Sequence, residues 1–220
     1  MPQMQVVLDF LSQLRDNNNR EWFAEHKTDY EAAKLHFETF IEDVIMNFAP
    51  VEDLLGLSPN DCTFRIYKDV RFSKDKSPYK INFACVFGRG GRKHAHFPYF
   101  LHIQPGHSFM GGGVYMPDPT QLKRIRQTID EDPRALKTIL TDKRFQKAFG
   151  DMGGEKLKTA PKGYPADHPD LMLLQHKQFL ASRNFTDAEV SSPKFVKQFI
   201  GQCIALKSFL EYWRHLIHIQ

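Results

Sequence analysis

Between residues 62 and 116 the chain changes period, and that change limits the folds open to it. Residues 4–15 place Val7, Leu8, Leu11 and Leu14 on one face of a helix. After "DNNN", the stretch "REWFAEHKTDYEAAKLHFETFIEDVIMNFA" predicts one or two helices ending before Pro50. Trp22, Phe23, Tyr30, Phe37, Phe40, Ile41, Val44, Ile45 and Phe48 supply their apolar side. Asn18, with Glu21 three residues on, predicts the cap. From Cys62 the period drops to two. "CTFRIY" sets Phe64 and Ile66 against Arg65 and Tyr67. "YKINFACVF" sets Ile81, Phe83, Cys85 and Phe87 against Asn82, Ala84 and Val86. "PYFLHI" and "HSFMGGGVYM" predict two more strands, the second weakened by glycine, and "GRGGRKHAHF" reads as a flexible connection. Short connections favour an antiparallel meander.

Helical spacing then returns. "PDPTQLKRIRQTID" predicts a helix with Asp118 as N-cap and Pro119 at its first position. Residues 133–149 predict two short helices, and Pro161, Pro165 and Pro169 impose a loop. "KQFLASRNF" predicts a fifth strand and "TDAE" a capping box. A long amphipathic helix from Ser192 to Ile219 presents Phe195, Phe199, Ile200, Cys203, Leu206, Leu210 and Trp213. Strands bracketed by helices predict an α+β fold: one antiparallel sheet of about five strands, with N- and C-terminal helices packed on it. The 220 residues fit one domain: a helical segment over residues 1–50, a strand-rich core over residues 62–116 and a mostly helical segment over residues 117–220. With 19 phenylalanines the chain can build its core without metal or disulfide staples.

The charge is concentrated. The whole chain carries +4, residues 65–96 alone carry +7, and the remainder is therefore −3. "RIYKDVRFSKDKSPYK" (65–80) holds six Lys or Arg, two Asp and two Tyr. A basic patch on a mildly acidic body suggests an anionic ligand. Continued as a strand, this stretch would put Asp69 between Arg65 and Arg71, where a carboxylate orients guanidinium groups towards phosphate or carboxylate. Lys76 and Tyr79 follow in the loop and at the next strand, and Lys68 adds a point charge. Arg65, Lys68, Asp69, Arg71, Lys76 and Tyr79 are therefore the candidate ligand-binding residues. The competing reading is an ion-pair network that only fixes the loop.

The arrangement Arg65-x-x-Lys68-Asp69-x-Arg71-Phe72, followed by Asp75-Lys76-x-x-Tyr79, resembles the signature of a widespread, mainly bacterial family catalogued as a domain of unknown function. "NNREWF", "GGGVYMP", the "IR" pair, "PKGY" and the following "HP" resemble it too, so the likeness covers nearly the whole chain. It implies a cytoplasmic single-domain protein and no particular activity. Lys68 stands where Arg is expected, and so lacks the bidentate fork.

Other patterns carry less. Ser73-x-x-Lys76 lacks the partner motifs of acylating serine enzymes. "GRGGR" lacks the ending of a P-loop. His94, His96, His102 and His107 have no acid between residues 76 and 117 to complete a carboxylate-type site, so neither a metal nor a cofactor is expected. Gly111-Gly112-Gly113 permits close approach of a ligand or of backbone. The loop Pro161–Tyr164 with His168 is placed by the resemblance over a pocket. Cys62, Cys85 and Cys203 are few, odd in number and far apart, as in a reducing cytoplasm. The opening residues lack the pattern of a secretory leader, and no apolar run reaches membrane-spanning length.

The leading expectation is binding of a phosphate- or carboxylate-bearing small molecule. An enzyme acting on a phosphorylated substrate is the first alternative, with Asp69 or Tyr79 as proton carrier. Binding of single strands by the cations with Tyr67, Phe72 and Tyr79 is the second. A carboxylate amid so much positive charge is a poor general acid, which ranks catalysis below binding.

Overall fold

The computed structural model describes residues 3–71 and 73–218. Phe72 of the basic motif and Ile219 at the end of the long helix lie outside them.

Helix α1 (Gln3–Asp16) buries Val7, Leu8, Leu11 and Leu14, as the spacing requires. Asn19, rather than Asn18, caps α2 (Arg20–Glu25): its side chain accepts from the Trp22 amide at 2.8 Å. Helix α3 (Lys27–Phe48) buries Phe37, Phe40, Ile41, Val44 and Phe48. One-turn helices follow at α4 (Pro59–Cys62) and, after strand β1 (Phe83–Phe87), at α5 (Gly91–His94). The second falls where the glycine-rich run predicts a flexible connection.

Strands β2 (Tyr99–Ile103) and β3 (Ser108–Val114) lead to α6 (Pro119–Glu131). Asp118 caps it, accepting from the amides of Thr120 and Gln121 at 2.7 and 2.9 Å. Then come α7 (Arg134–Thr141), α8 (Lys143–Phe149), α9 (Leu171–Leu174), β4 (Phe179–Phe185), α10 (Asp187–Val190) and α11 (Phe195–His218). Thr186 and Glu189 form the expected capping box of α10.

The fold is α+β, with one antiparallel sheet in the order β1-β2-β3-β4 and helices at both ends of the chain. Val86 lies opposite Phe100, Cys85 opposite Leu101 and Ala84 opposite His102. Four strands form rather than about five, because "CTFRIY" pairs only at isolated bridges, Thr63 with Cys85 and Tyr67 with Tyr79. Between them the ladder is interrupted by side-chain chemistry. The Arg65 carbonyl accepts from Lys80 Nζ at 2.9 Å. Beyond the second bridge, on the loop side, Pro78 accepts from the Lys68 amide at 2.9 Å but has no N–H to return, so the pairing ends there.

The chain divides into two compact units, each assembled from separate segments. The first comprises Met1–Ala95, Tyr99–Met110 and Asn184–Gly201. Its core contains Leu11, Phe37, Phe40, Cys85, Leu101, Phe195 and Phe199. The second comprises His96–Pro98, Gly111–Arg183 and Gln202–Gln220. There Ile125, Leu136, Phe145, Phe179, Phe209 and Trp213 are buried. Among the described residues no helix is long and apolar enough to cross a membrane.

All three cysteines are free and buried. Burial pushes the Cys62 thiol from 9.0 up to about 11. The native state therefore holds this proton more tightly than the unfolded chain does. The stabilisation is present in full below the unfolded value and is lost as pH rises towards the folded one. The stability advantage of wild type over Cys62→Ala should accordingly shrink between about pH 9 and about pH 11 in urea titrations. A constant difference would count against it.

Candidate functional site

Residues 63–68 and 78–85 form an irregular hairpin, closed by a loop over 69–77. Two features anchor it. The Asn18 carboxamide imitates a backbone partner for Tyr79: Oδ1 accepts from the Tyr79 amide at 3.1 Å and Nδ2 donates to its carbonyl at 3.0 Å. The Tyr79 ring stacks on Phe23 of α2, with centroids 3.9 Å apart and planes at 14°. Deleting the amide should cost about 2 kcal/mol, since both groups of Tyr79 lose their partner. Urea denaturation of Asn18→Ala measures this, and a loss under a few tenths would contradict it.

Asp69 and Arg71 do come together, but through a turn rather than by strand spacing. Asp69 Oδ1 accepts from the Arg71 amide at 3.2 Å and from its Nε at 3.0 Å, while Oδ2 accepts from Nη2 at 2.7 Å. This two-pronged contact holds the Asp69 carboxyl below its usual range, with the Arg65 guanidinium adding to the effect. An Asp so engaged is a poor proton donor. Lys68 turns the other way and pairs with Asp75, whose second oxygen accepts from the Ser77 amide at 2.9 Å. The Lys68 hydrogen bond, more than those from Ser77, lowers the Asp75 carboxyl well below its usual range. Lys76 Nζ donates to the Val70 carbonyl at 3.0 Å and lines an open groove of about 570 Å³ with Asn18, Arg20 and Ser77. Tyr79 is buried, and its hydroxyl is raised by that burial and then by Tyr67. Tyr67 stays exposed, 5.6 Å from it.

Arg65 is exposed, and its guanidinium acts on two charged groups, the Asp69 carboxylate and the Lys80 ammonium. Lys80 Nζ sits on the Arg65 carbonyl, and burial first, then the Arg65 guanidinium, pushes the ammonium below its usual range. Neither has a salt-bridge partner among the described residues. Lys80 does not stand out in the sequence beyond being a Lys at a strand start, and Asn18 stands out only as a helix cap, the role that Asn19 takes instead.

The remaining motifs resolve into packing. A Cβ on Gly111 would lie 2.6 Å from the Ala181 carbonyl oxygen, and one on Gly112 would lie 2.8 Å from Leu210, so the triple glycine admits protein rather than ligand. Arg89 pairs with Asp53 at 3.5 Å. Among the described residues no group of three or more His, Cys, Asp or Glu is placed to hold a metal ion. His168 is fully engaged: Nδ1 accepts from the Asp170 amide at 3.0 Å, so Nε2 carries the hydrogen facing Asp130 at 2.9 Å. Asp170 in turn pairs with Lys137. Arg126, the second residue of the "IR" pair, donates to the Leu174 and His176 carbonyls at 3.0 and 3.4 Å. The His168–Asp130 contact fastens the proline-rich loop to α6, the Asp170–Lys137 pair ties the end of that loop to α7, and Arg126 ties α9 and His176 to α6.

No curated protein and no solved structure matches the chain. The profile of a family of conserved hypothetical proteins matches residues 6–212, a span that contains the hairpin, Asn18 and the fastened loop alike. The chain belongs to that family, DUF2461.

Proposed function

We propose that the protein binds a phosphate- or carboxylate-bearing small molecule at the basic hairpin. Arg65 and Lys80, on the two arms of the hairpin, are the primary cations, and Arg71, steadied by Asp69, adds a third in the loop that joins the arms. One observation carries this reading: two cations are held close enough to repel, with no salt bridge to either among the described residues. Like charges kept together by a fold cost free energy, which a bound anion would offset. Lys68 and Lys76 contribute to the field but are tied to Asp75 and to Val70. Three buried free thiols favour the reducing cytoplasm as the setting.

A thermal-shift panel of phosphate, sulfate, nucleotides and sugar phosphates tests this. A ligand at a hundred times its dissociation constant stabilises by about 2.7 kcal/mol. In a chain of this size that raises Tm by roughly 5–10 °C. The shift should vanish in Arg65→Ala and Lys80→Met. An equal shift in both variants, or none with any anion, would overturn the reading. A steep fall of affinity for oligonucleotides with salt would instead favour the nucleic-acid alternative.

A further inference from the structure

Away from the basic hairpin, the turn between β2 and β3 and the end of β4 enclose a cavity of about 340 Å³. One wall is aromatic. His102 and Phe109 stack with centroids 4.9 Å apart and planes at 21°. Phe100 leans on Phe109 at 5.7 Å, and Phe64 on Phe100 at 6.3 Å. All four rings are half-buried, so a row of aromatic surface crosses the sheet and ends at the cavity.

The frame is fixed. Ser108 Oγ accepts from the Gln104 amide at 3.1 Å and lies 3.0 Å from its carbonyl. The Gly106 amide is held by both Asp187 oxygens, at 2.9 and 3.1 Å. His102 Nε2 faces the Gln104 side-chain oxygen at 3.1 Å, which sets the ring plane. The other wall is polar and uncommitted. Among the described residues neither the His107 ring nor the Asn184 carboxamide has a hydrogen-bond partner.

The geometry points to a binding site for a nucleobase, adenine in preference to guanine. A flat ring extends the Phe109–His102 stack, as bases do on aromatic side chains. The edge of adenine offers an amino donor beside a ring-nitrogen acceptor, the pair that a carboxamide such as that of Asn184 satisfies with two bonds. On the same N7 edge guanine offers two acceptors, O6 and N7, of which the carboxamide amino group would satisfy one. His107 supplies a further polar contact at the mouth. Burial, opposed by the Gln104 hydrogen bond and reinforced by His107, pushes His102 below its usual range, which favours the neutral ring for stacking. Inorganic phosphate needs none of this, so the site stands apart from the anion reading.

Calorimetric titration of the full chain with adenosine tests it. Saturable binding is expected, weakened roughly tenfold in Phe109→Ala by loss of the stacked ring. Asn184→Ala should abolish the preference for adenosine over guanosine. Asn184 is exposed, so this second variant keeps the test valid if Phe109→Ala fails to fold. No saturable heat with wild type, or unchanged binding in both variants, would overturn the proposal. Adenosine carries no phosphate, and a parallel titration with inorganic phosphate on wild type and Arg65→Ala reports the hairpin site separately.

Discussion

Replacing Gly113 with Ala should cost about 4 kcal/mol, near the upper end of single-residue effects, and lower Tm by roughly 10 °C. Gly113 has φ +125°, where side chains other than hydrogen are strained. A Cβ there would stand 2.1 Å from the Phe179 carbonyl oxygen and 3.0 Å from the Phe209 ring. The first obstacle is backbone of β4 and cannot rotate away. Relief requires β3 to separate from its neighbour, with loss of sheet hydrogen bonds. Gly201 is the control: it lies within α11 with nothing within 4 Å of a built Cβ. Gly201→Ala should raise stability by about 0.5–1 kcal/mol. Urea denaturation of both variants gives the comparison, and equal effects would refute the steric account.

Phe23→Ala should cost about 3 kcal/mol and also disorder the hairpin. Phe23 is 7% exposed, and it touches Tyr79 at 3.9 Å, Tyr30 at 5.0 Å and Phe10 at 6.4 Å. Removing the ring opens a cavity that rigid neighbours fill only in part. It also takes the stacking partner from Tyr79, leaving Asn18 as the main link from the α1–α2 junction to the loop. Two readouts follow. Stability falls, and protection of the 63–80 amides from hydrogen exchange falls further than global unfolding requires. Loss of stability with unchanged local protection would mean that the hairpin holds itself.

Much of the framework is legible along the chain because it depends on neighbours in sequence. The spacing of Leu8, Leu11 and Leu14 sets the buried face of α1, and Asp118-Pro119 sets the start of α6. The same is true of the core positions from Phe195 to Trp213. The concentration of charge in residues 65–80 is also plain, and so is the association of Asp69 with Arg71. Strand spacing gives the wrong mechanism for that pair: an Asx-type turn bridges the two residues without any strand.

What only the tertiary structure decided lies where a side chain competes with backbone for a backbone partner. The Asn18 side chain, which local spacing assigns to a helix cap, is taken by Tyr79 61 residues away. The pairing shifts register between the Thr63–Cys85 and Tyr67–Tyr79 bridges, and there Lys80 Nζ fills the Arg65 carbonyl, within a strand that alternation alone predicts to be continuous. The triple glycine suits a ligand and protein equally well, until β4 and α11 supply the atoms that a Cβ would meet. Periodicity and caps follow from local geometry and so can be read along the chain. Which distant group satisfies a given amide, carbonyl or cation depends on surfaces that exist only after folding.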